Sequence, residues 1–86
     1  MYQIYFTRQA LKDRQRIART NLEPRVRALL DVLTHDPFQA PPPYEKLVGD
    51  LSGAYSRRIN IQHRLVYSVD TQENAIRILR MWTHYE

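Results

Sequence analysis

The chain has 86 residues and no cysteine, and its 13 lysines and arginines against 9 aspartates and glutamates give a net charge of +4 at pH 7. This length predicts a single small domain over 1–86 that buries only about 60% of its unfolded surface. The lack of cysteine excludes disulfides and thiolate metal sites. No apolar run approaches the roughly 20 residues of a bilayer span and no signal-peptide core is present, so we expect no membrane partner and a cytoplasmic location.

The N-terminal half predicts one strand followed by two helices. Residues 2–6 alternate and are rich in aromatic side chains, which is typical of a strand. Thr7 is predicted to cap a helix that runs to about Thr20. Asn21 is a candidate cap for a second helix, which should end just before Pro37 because proline disfavours helical geometry in the preceding residue.

The first predicted helix has a basic face. An arginine-rich balance favours an anionic partner, either nucleic acid or an acidic protein. An ordinary solvated surface is the preferred explanation of such a face, and a contact with nucleic acid or the ribosome is the sharper hypothesis. The basic residues are Arg8, Lys12, Arg14, Arg16 and Arg19.

The C-terminal half predicts an antiparallel sheet. Residues 56–59 and 63–67 alternate like two strands of a hairpin, and a last strand should run over 75–82. The order β-α-α-β-β-β predicts an α+β domain in which a two-helix hairpin packs on one face of a small, mainly antiparallel sheet. Alternation alone leaves open whether Arg57 or Arg58 lies on the other face, because one bulge would invert the pattern.

A proline-rich segment over 38–44 leads into Glu45. Proline cannot donate a hydrogen bond within a sheet and restricts its own backbone, so we expect this segment to act as a rigid strut. The strut would determine where the Glu45 carboxylate points. Gly49 and Gly53 then mark a turn into the hairpin.

One set of side chains could handle protons and a phosphate. Cleavage of RNA through its 2′-hydroxyl needs a base, a cation beside the phosphate and an acid for the leaving oxygen. The three histidines lie far apart with no metal-ligand spacing, so no metal site and no cofactor are expected. Taken alone, Glu45 and Arg64 are better explained by a structural salt bridge. The full set is Glu45, Arg57, Arg58, Arg64, His84 and Tyr85.

Two motifs and the chain end stand out in this half. Residues 51–59 read Leu-Ser-Gly-Ala-Tyr-Ser-Arg-Arg-Ile, residues 63–67 read His-Arg-Leu-Val-Tyr, and the chain closes near His84-Tyr85. The combination resembles the YoeB/Txe toxins of the RelE superfamily. The resemblance implies a RelE-like fold and the toxin of a bacterial type II toxin–antitoxin module, which enters the ribosomal A site and cuts messenger RNA there.

The resemblance also implies roles for individual residues. Glu45 falls at the position of the general base, Arg64 at that of the transition-state arginine and His84 at that of the general acid. The products would be a 2′,3′-cyclic phosphate and a 5′-hydroxyl. Trp82 would either pack against the protein or stack on a base. The expected RNA contacts are Arg57, Arg58, Lys46, Trp82 and Tyr85.

The implied partners are a cognate antitoxin of the YefM/Phd type, the ribosome with its messenger RNA, and a second copy of the chain in a homodimer. Two alternatives remain. One is a module that grips RNA or the ribosome without cutting, and the other is a ParE-like gyrase inhibitor on the same fold. The set Glu45, Arg64 and His84 argues against the second alternative, because gyrase inhibition needs no such acid–base chemistry.

Overall fold

A computed structural model describes residues 1–82 of the chain. Within them, two helices cover one face of a five-stranded sheet with the spatial order β1-β5-β4-β3-β2. β1 runs parallel to β5 and the other neighbours are antiparallel, which confirms the predicted α+β architecture. The elements are β1 (Gln3–Phe6), α1 (Arg8–Ile17), α2 (Glu23–His35), β2 (Glu45–Lys46), β3 (Ala54–Arg58), β4 (Arg64–Asp70) and β5 (Ala75–Arg80).

The structure corrects several predicted boundaries. α1 ends three residues before Thr20, and α2 begins after Leu22, which caps it without a side-chain hydrogen bond, so the cap predicted at Asn21 is wrong. β5 ends at Arg80, two residues before the predicted end. β2 was not predicted, because two residues are too few to show any periodicity.

The core lies between the helices and the sheet. The apolar stripes of α1 and α2 face β4 and β5, whose alternate residues supply the other half of the interior. Among residues 1–82 no helix is long and apolar enough to cross a membrane. The most deeply buried apolar side chains include Ala10, Ile17, Val26, Leu29, Leu33, Leu65, Tyr67, Ile76, Ile78 and Met81.

α1 is bonded to the end of β5 at two points. The Thr7 hydroxyl caps the helix by accepting from Ala10 N–H (3.1 Å), as predicted, and donates to the Leu79 carbonyl (3.1 Å). Six residues after Thr7, the Asp13 carboxylate is only 1% exposed. Its Oδ2 accepts from the backbone N–H groups of Met81 (2.9 Å) and Trp82 (3.2 Å). The end of β5 and the two residues after it are therefore held on α1 by the side chains of its cap and of Asp13.

The Asp13 carboxylate stays ionised in this interior. Burial alone would raise its pKa, but hydrogen bonds from Met81, Gln9, Trp82 and Arg80 outweigh burial and lower the pKa below the ordinary 3.8. The Gln9 amide donates to Oδ1 (2.9 Å) and Arg80 Nε to Oδ2 (3.3 Å). A mid-helix aspartate is a poor helix former, so these contacts account for its place in α1.

Arg57 is buried as well, with 1% exposure, and its guanidinium holds the proline-rich segment. Nη2 donates to the carbonyls of Pro37 (3.0 Å) and Gln39 (2.8 Å), and Nη1 donates to the carbonyl of Pro42. Nε donates to the Tyr67 hydroxyl (3.2 Å). The rigidity expected of this segment thus has a second source, because its carbonyls converge on one cation.

Tyr67 completes this cluster, which we call the guanidinium clamp (Arg57, Tyr67 and the carbonyls of Pro37, Gln39 and Pro42). Burial raises the pKa of Tyr67 above 10.0 although the neighbouring Arg57 opposes the rise. The hydroxyl therefore stays protonated and donates to the Pro37 carbonyl (2.9 Å). Each of the three guanidinium nitrogens donates inside the protein, and at 1% exposure Arg57 has almost no surface to offer to RNA.

Replacing Tyr67 by phenylalanine removes one donor and one acceptor from the clamp. We expect the free energy of unfolding to fall by about 1–2 kcal/mol, because buried polar groups lose partners that water cannot replace. Urea denaturation followed by circular dichroism measures this change. Tyr5→Phe is the matched control, since the Tyr5 side chain is exposed and removal of its hydroxyl should change stability by less than about 0.5 kcal/mol. Equal effects of the two substitutions would contradict a role for the clamp.

Asp13→Asn should change the pH dependence of stability. Because the pKa of Asp13 is lower in the folded state, its ionised form stabilises the fold above the unfolded pKa, and that stabilisation is lost as the pH falls through the folded pKa. The variant should be less stable than the parent by about 1–3 kcal/mol at pH 7. The gap should narrow as the pH falls below about 4 and close below the folded pKa. Urea denaturation from pH 7 to pH 2.5 measures the gap, with exposed Asp31→Asn as control, and a gap independent of pH would contradict the assignment.

Candidate active site

The sheet register brings four polar residues onto one face. Glu45 of β2 pairs with Ser56 of β3, and Arg58 of β3 pairs with Arg64 of β4. Residues paired across antiparallel strands share a face, and residues two apart along a strand do so too. Leu65, next to Arg64, lies in the core beneath the helices. The four polar residues therefore occupy the opposite face of the sheet.

Glu45 and Arg64 form the ion pair of this face. Arg64 Nη1 lies 3.1 Å from Glu45 Oε1, and the side chains are 26% and 67% exposed respectively. A pair this exposed contributes little to folding, typically no more than about 1 kcal/mol. A substrate can therefore reach the carboxylate, and separating the pair costs little. The structural salt bridge expected from the sequence is present, on an accessible surface.

Of the two successive arginines of β3, it is Arg58 that lies on the sheet face away from the helices. Arg57 is buried on the helical side, so its neighbour Arg58 projects from the opposite face, where it is exposed. Within residues 1–82 its guanidinium has no hydrogen bond and no ion pair. Arg58 and Arg64 therefore place two cations beside the single carboxylate of Glu45, and such a site attracts anions.

A shallow depression of about 290 Å³ opens at this site. Sequence reasoning missed Ser56, which is 1% exposed and whose Oγ has no hydrogen-bond partner within the described part of the chain. Its position two residues before Arg58 was the available signal, since that spacing predicts the same face. Sequence reasoning also missed Arg25 of α2, because nothing in the pattern of a helix shows which strand it reaches. The lining comprises Arg25, Pro43, Tyr44, Glu45, Ser56, Arg58 and Arg64.

Lys46 and Trp82 are not brought together with Glu45. Lys46 pairs with Tyr55, so its side chain leaves β2 on the face opposite to that of Glu45. Trp82 stacks on His63, with ring centroids 4.1 Å apart and planes at 26°. The packing role considered for Trp82 is thus present on one of its ring faces. His84 and Tyr85 lie outside the described residues.

The basic face of α1 continues from Trp82 as a groove of about 440 Å³. The Arg16 guanidinium carbon lies 5.8 Å from the Trp82 ring centroid, within range of a cation–π contact. Lys12, Arg16 and Arg19 line the groove and form no ion pair within residues 1–82. Arg14 is neutralised by Glu23 (2.8 Å) and is not part of this surface.

Metal-ligating side chains are dispersed over the described part of the chain. Residues 1–82 contain no group of three or more histidine, aspartate or glutamate side chains close enough to hold a metal ion. The chemistry available at the site described above is that of a carboxylate and guanidinium groups.

Comparison with known proteins gives consistent matches over this chain. The model of the YoeB-like toxins of bacterial type II toxin–antitoxin systems matches residues 6–85. Toxin YoeB of Synechocystis is 39% identical over 62 residues, which cover 72% of this chain and 70% of that protein.

Solved structures agree over nearly the whole length. The Staphylococcus aureus YoeB–YefM complex superposes with a TM-score of 0.83 at 35% identity and 99% coverage of both chains. The structure of the S. aureus YoeB dimer superposes with a TM-score of 0.83 at 34% identity and 98% coverage of both chains. A YoeB/ParE toxin of Agrobacterium tumefaciens superposes with a TM-score of 0.88 at 28% identity, and the match covers 99% of this chain and 100% of that one. The paired strands β3 and β4 contain most of the two motifs of 51–59 and 63–67. Because the family model covers residues 6–85, the chain belongs to the YoeB family of type II toxins.

Proposed function

We propose that this toxin is a ribosome-dependent endoribonuclease that cuts messenger RNA in the ribosomal A site by acid–base catalysis. The observation that carries the proposal is the Glu45 carboxylate, held 3.1 Å from Arg64 on an accessible sheet face that has a surplus of positive charge. This arrangement offers a proton acceptor beside a cation, which is what attack by a 2′-hydroxyl on the adjacent phosphate needs.

The reaction transfers two protons. Glu45 accepts the proton of the 2′-hydroxyl as O2′ forms a bond to phosphorus, and Arg64 stabilises the negative charge that builds on the phosphoryl oxygens. The bond from phosphorus to O5′ then breaks, and His84 donates the proton that O5′ takes up. The products are a 2′,3′-cyclic phosphate and a 5′-hydroxyl, so no water is consumed in this step. The role of His84 rests on the family resemblance.

Substrate binding falls to the unpaired cations. Arg58 lies next to the ion pair and has no carboxylate partner among residues 1–82, so it is suited to a neighbouring phosphate. The basic groove of α1 supports a contact with RNA at a second place, because Lys12, Arg16 and Arg19 likewise form no ion pair within residues 1–82. Lys46 projects from the other face of β2, so any contact it makes with RNA is separate from that of Arg58.

The proposed partners follow from the relatives. S. aureus YoeB is solved in complex with YefM and as a dimer. We extend both associations to this chain, with a cognate antitoxin of the YefM type and a homodimer. A net charge of +4 favours an acidic antitoxin segment. A substrate on translating ribosomes requires a cytoplasmic location.

Glu45→Gln tests the proton acceptor. The amide preserves size and hydrogen bonding but cannot take up the 2′-hydroxyl proton, so we expect cleavage to fall by about 100-fold or more. Primer extension on a defined messenger programmed into ribosomes measures new 5′ ends within the A-site codon. Glu73→Gln is the matched control, since Glu73 is an exposed carboxylate in the turn between β4 and β5, and it should cleave like the parent.

The same assay separates the alternatives. A module that grips the ribosome without cutting would stall translation with the parent and Glu45→Gln alike and would produce no new 5′ end. A ParE-like activity would leave translation unaffected and inhibit gyrase supercoiling. Either outcome would overturn the proposed nuclease.

Arg58 and Arg64 should be distinguishable by kinetics. Arg64→Gln removes the cation beside the base and should lower the maximal single-turnover rate by about 100–1,000-fold. Arg58→Gln should instead raise the ribosome concentration for half-maximal rate, by about 3–10-fold, because a phosphate contact is lost. Single-turnover cleavage at increasing ribosome concentration measures both quantities. Identical profiles for the two variants would contradict the division of roles.

A further inference from the structure

Asp13 contacts the part of the chain that leads to the C-terminus. Its Oδ2 accepts hydrogen bonds from the backbone of Met81 and Trp82 and from Arg80 Nε. The regular strand β5 ends at Arg80. Met81 and Trp82 therefore lie beyond the strand register, and the carboxylate takes the place of a strand partner for both N–H groups.

Two further contacts hold this junction. The Met81 side chain is fully buried in the core, and the Trp82 ring stacks on His63. His63 directly precedes Arg64 of the candidate site. The chain beyond β5 is therefore anchored on one side to α1 and on the other to the start of β4.

The anchor bounds the reach of the residues that follow. His84 lies two residues after Trp82. A chain extends by at most about 3.6 Å per residue, so two residues of chain span at most about 7 Å. The contacts that hold Trp82 therefore also fix the point of the chain from which His84 must reach the leaving oxygen.

Asp13 both stabilises the fold and fixes the course of the chain after β5. Gln9 and Arg80 are its side-chain partners. Its Oδ2 also accepts hydrogen bonds from two successive backbone amides of an irregular segment. Misplacement of a catalytic group by about 1 Å can cost as much as 100-fold in rate, so such a restraint has a direct kinetic consequence.

We infer that Asp13 is a positioning residue for the general acid: it holds the backbone of Met81 and Trp82, the point of the chain from which His84 must reach the leaving oxygen. This inference rests on the proposed nuclease activity. It assigns to α1 a part in protonation of the leaving group, and it leaves the proton acceptor Glu45 and the phosphate contact Arg58 unaffected.

The test uses a substrate whose leaving group needs no proton. In a messenger with sulfur in place of O5′ at the scissile linkage, O2′ still bonds to phosphorus and the P–S bond breaks, with sulfur leaving as a stable thiolate. Loss of the general acid therefore slows cleavage of the oxygen substrate and spares the sulfur substrate. Loss of the base slows cleavage of both.

Single-turnover cleavage on programmed ribosomes would be measured for the parent, Asp13→Ala and Asp13→Asn with both substrates. We expect Asp13→Ala to cut the oxygen substrate about 10–100-fold more slowly and the sulfur substrate within about 3-fold of the parent. Asp13→Asn keeps one acceptor oxygen and should show a smaller deficit with the same restoration. His84→Ala should be restored by sulfur and Glu45→Gln should not. Asp31→Ala, an exposed aspartate of α2, should cut both substrates like the parent.

Three outcomes would be decisive against the inference. If the parent leaves the oxygen substrate intact, the proposed nuclease fails and the inference fails with it. If the parent cuts but the Asp13 variants are slow on both substrates, Asp13 acts on the fold as a whole. If the variants are fast on both substrates, the junction does not position the acid. Circular dichroism identifies a variant that does not fold, and Asp13→Asn then decides the matter alone.

Discussion

The interior position of the Arg57 guanidinium is the constraint on which the site depends. Because strand residues alternate between faces, burying Arg57 forces Arg58 onto the opposite face, beside Glu45 and Arg64. The same guanidinium gathers the carbonyls of Pro37, Gln39 and Pro42. Arg57 thus determines that Arg58 is the exposed arginine, and it holds the segment that leads into Glu45. Lysine could not replace it, because a single ammonium cannot direct planar donors toward so many separate acceptors.

The Glu45–Arg64 ion pair adds little stability to the fold, which indicates that it serves another purpose. Glu45 is two-thirds exposed, and an exposed pair gives the fold little stability. Its value lies instead in keeping a carboxylate and a cation side by side before any substrate arrives. Arg58 then leaves a positive surplus, which disfavours a second anionic protein group and favours a phosphate. The contrast with Asp13, buried and fully engaged, separates a carboxylate that holds structure from one that is available for chemistry.

The sequence predicted the α+β architecture and the hairpin of β3 and β4, because period-two and helical patterns extend over several residues in each element. It did not predict the parallel pairing of β1 with β5 or the short strand β2. The Thr7 cap and the end of α2 before Pro37 were likewise visible, since both depend on local chemistry. Features that depend on contacts between residues far apart in the sequence were not visible. No pattern shows that Arg57, next to an exposed arginine, meets carbonyls up to 20 residues away. Asp13 was hidden for the same reason, as its partners lie nearly 70 residues further along the chain.

Arg57 and Asp13 solve the same physical problem with opposite charges. Segments that leave regular structure expose backbone groups without ladder partners, and such groups must be satisfied when they are buried. The cation takes carbonyls of the segment before β2, and the anion takes N–H groups of the segment after β5. Each buried charge is costly unless hydrogen bonds surround it, so each segment is restricted to the one path that supplies them. One path ends at Glu45 and the other leads toward His84. The two proposed proton-transfer residues thus each follow a segment whose course is set by a buried charge rather than by secondary structure.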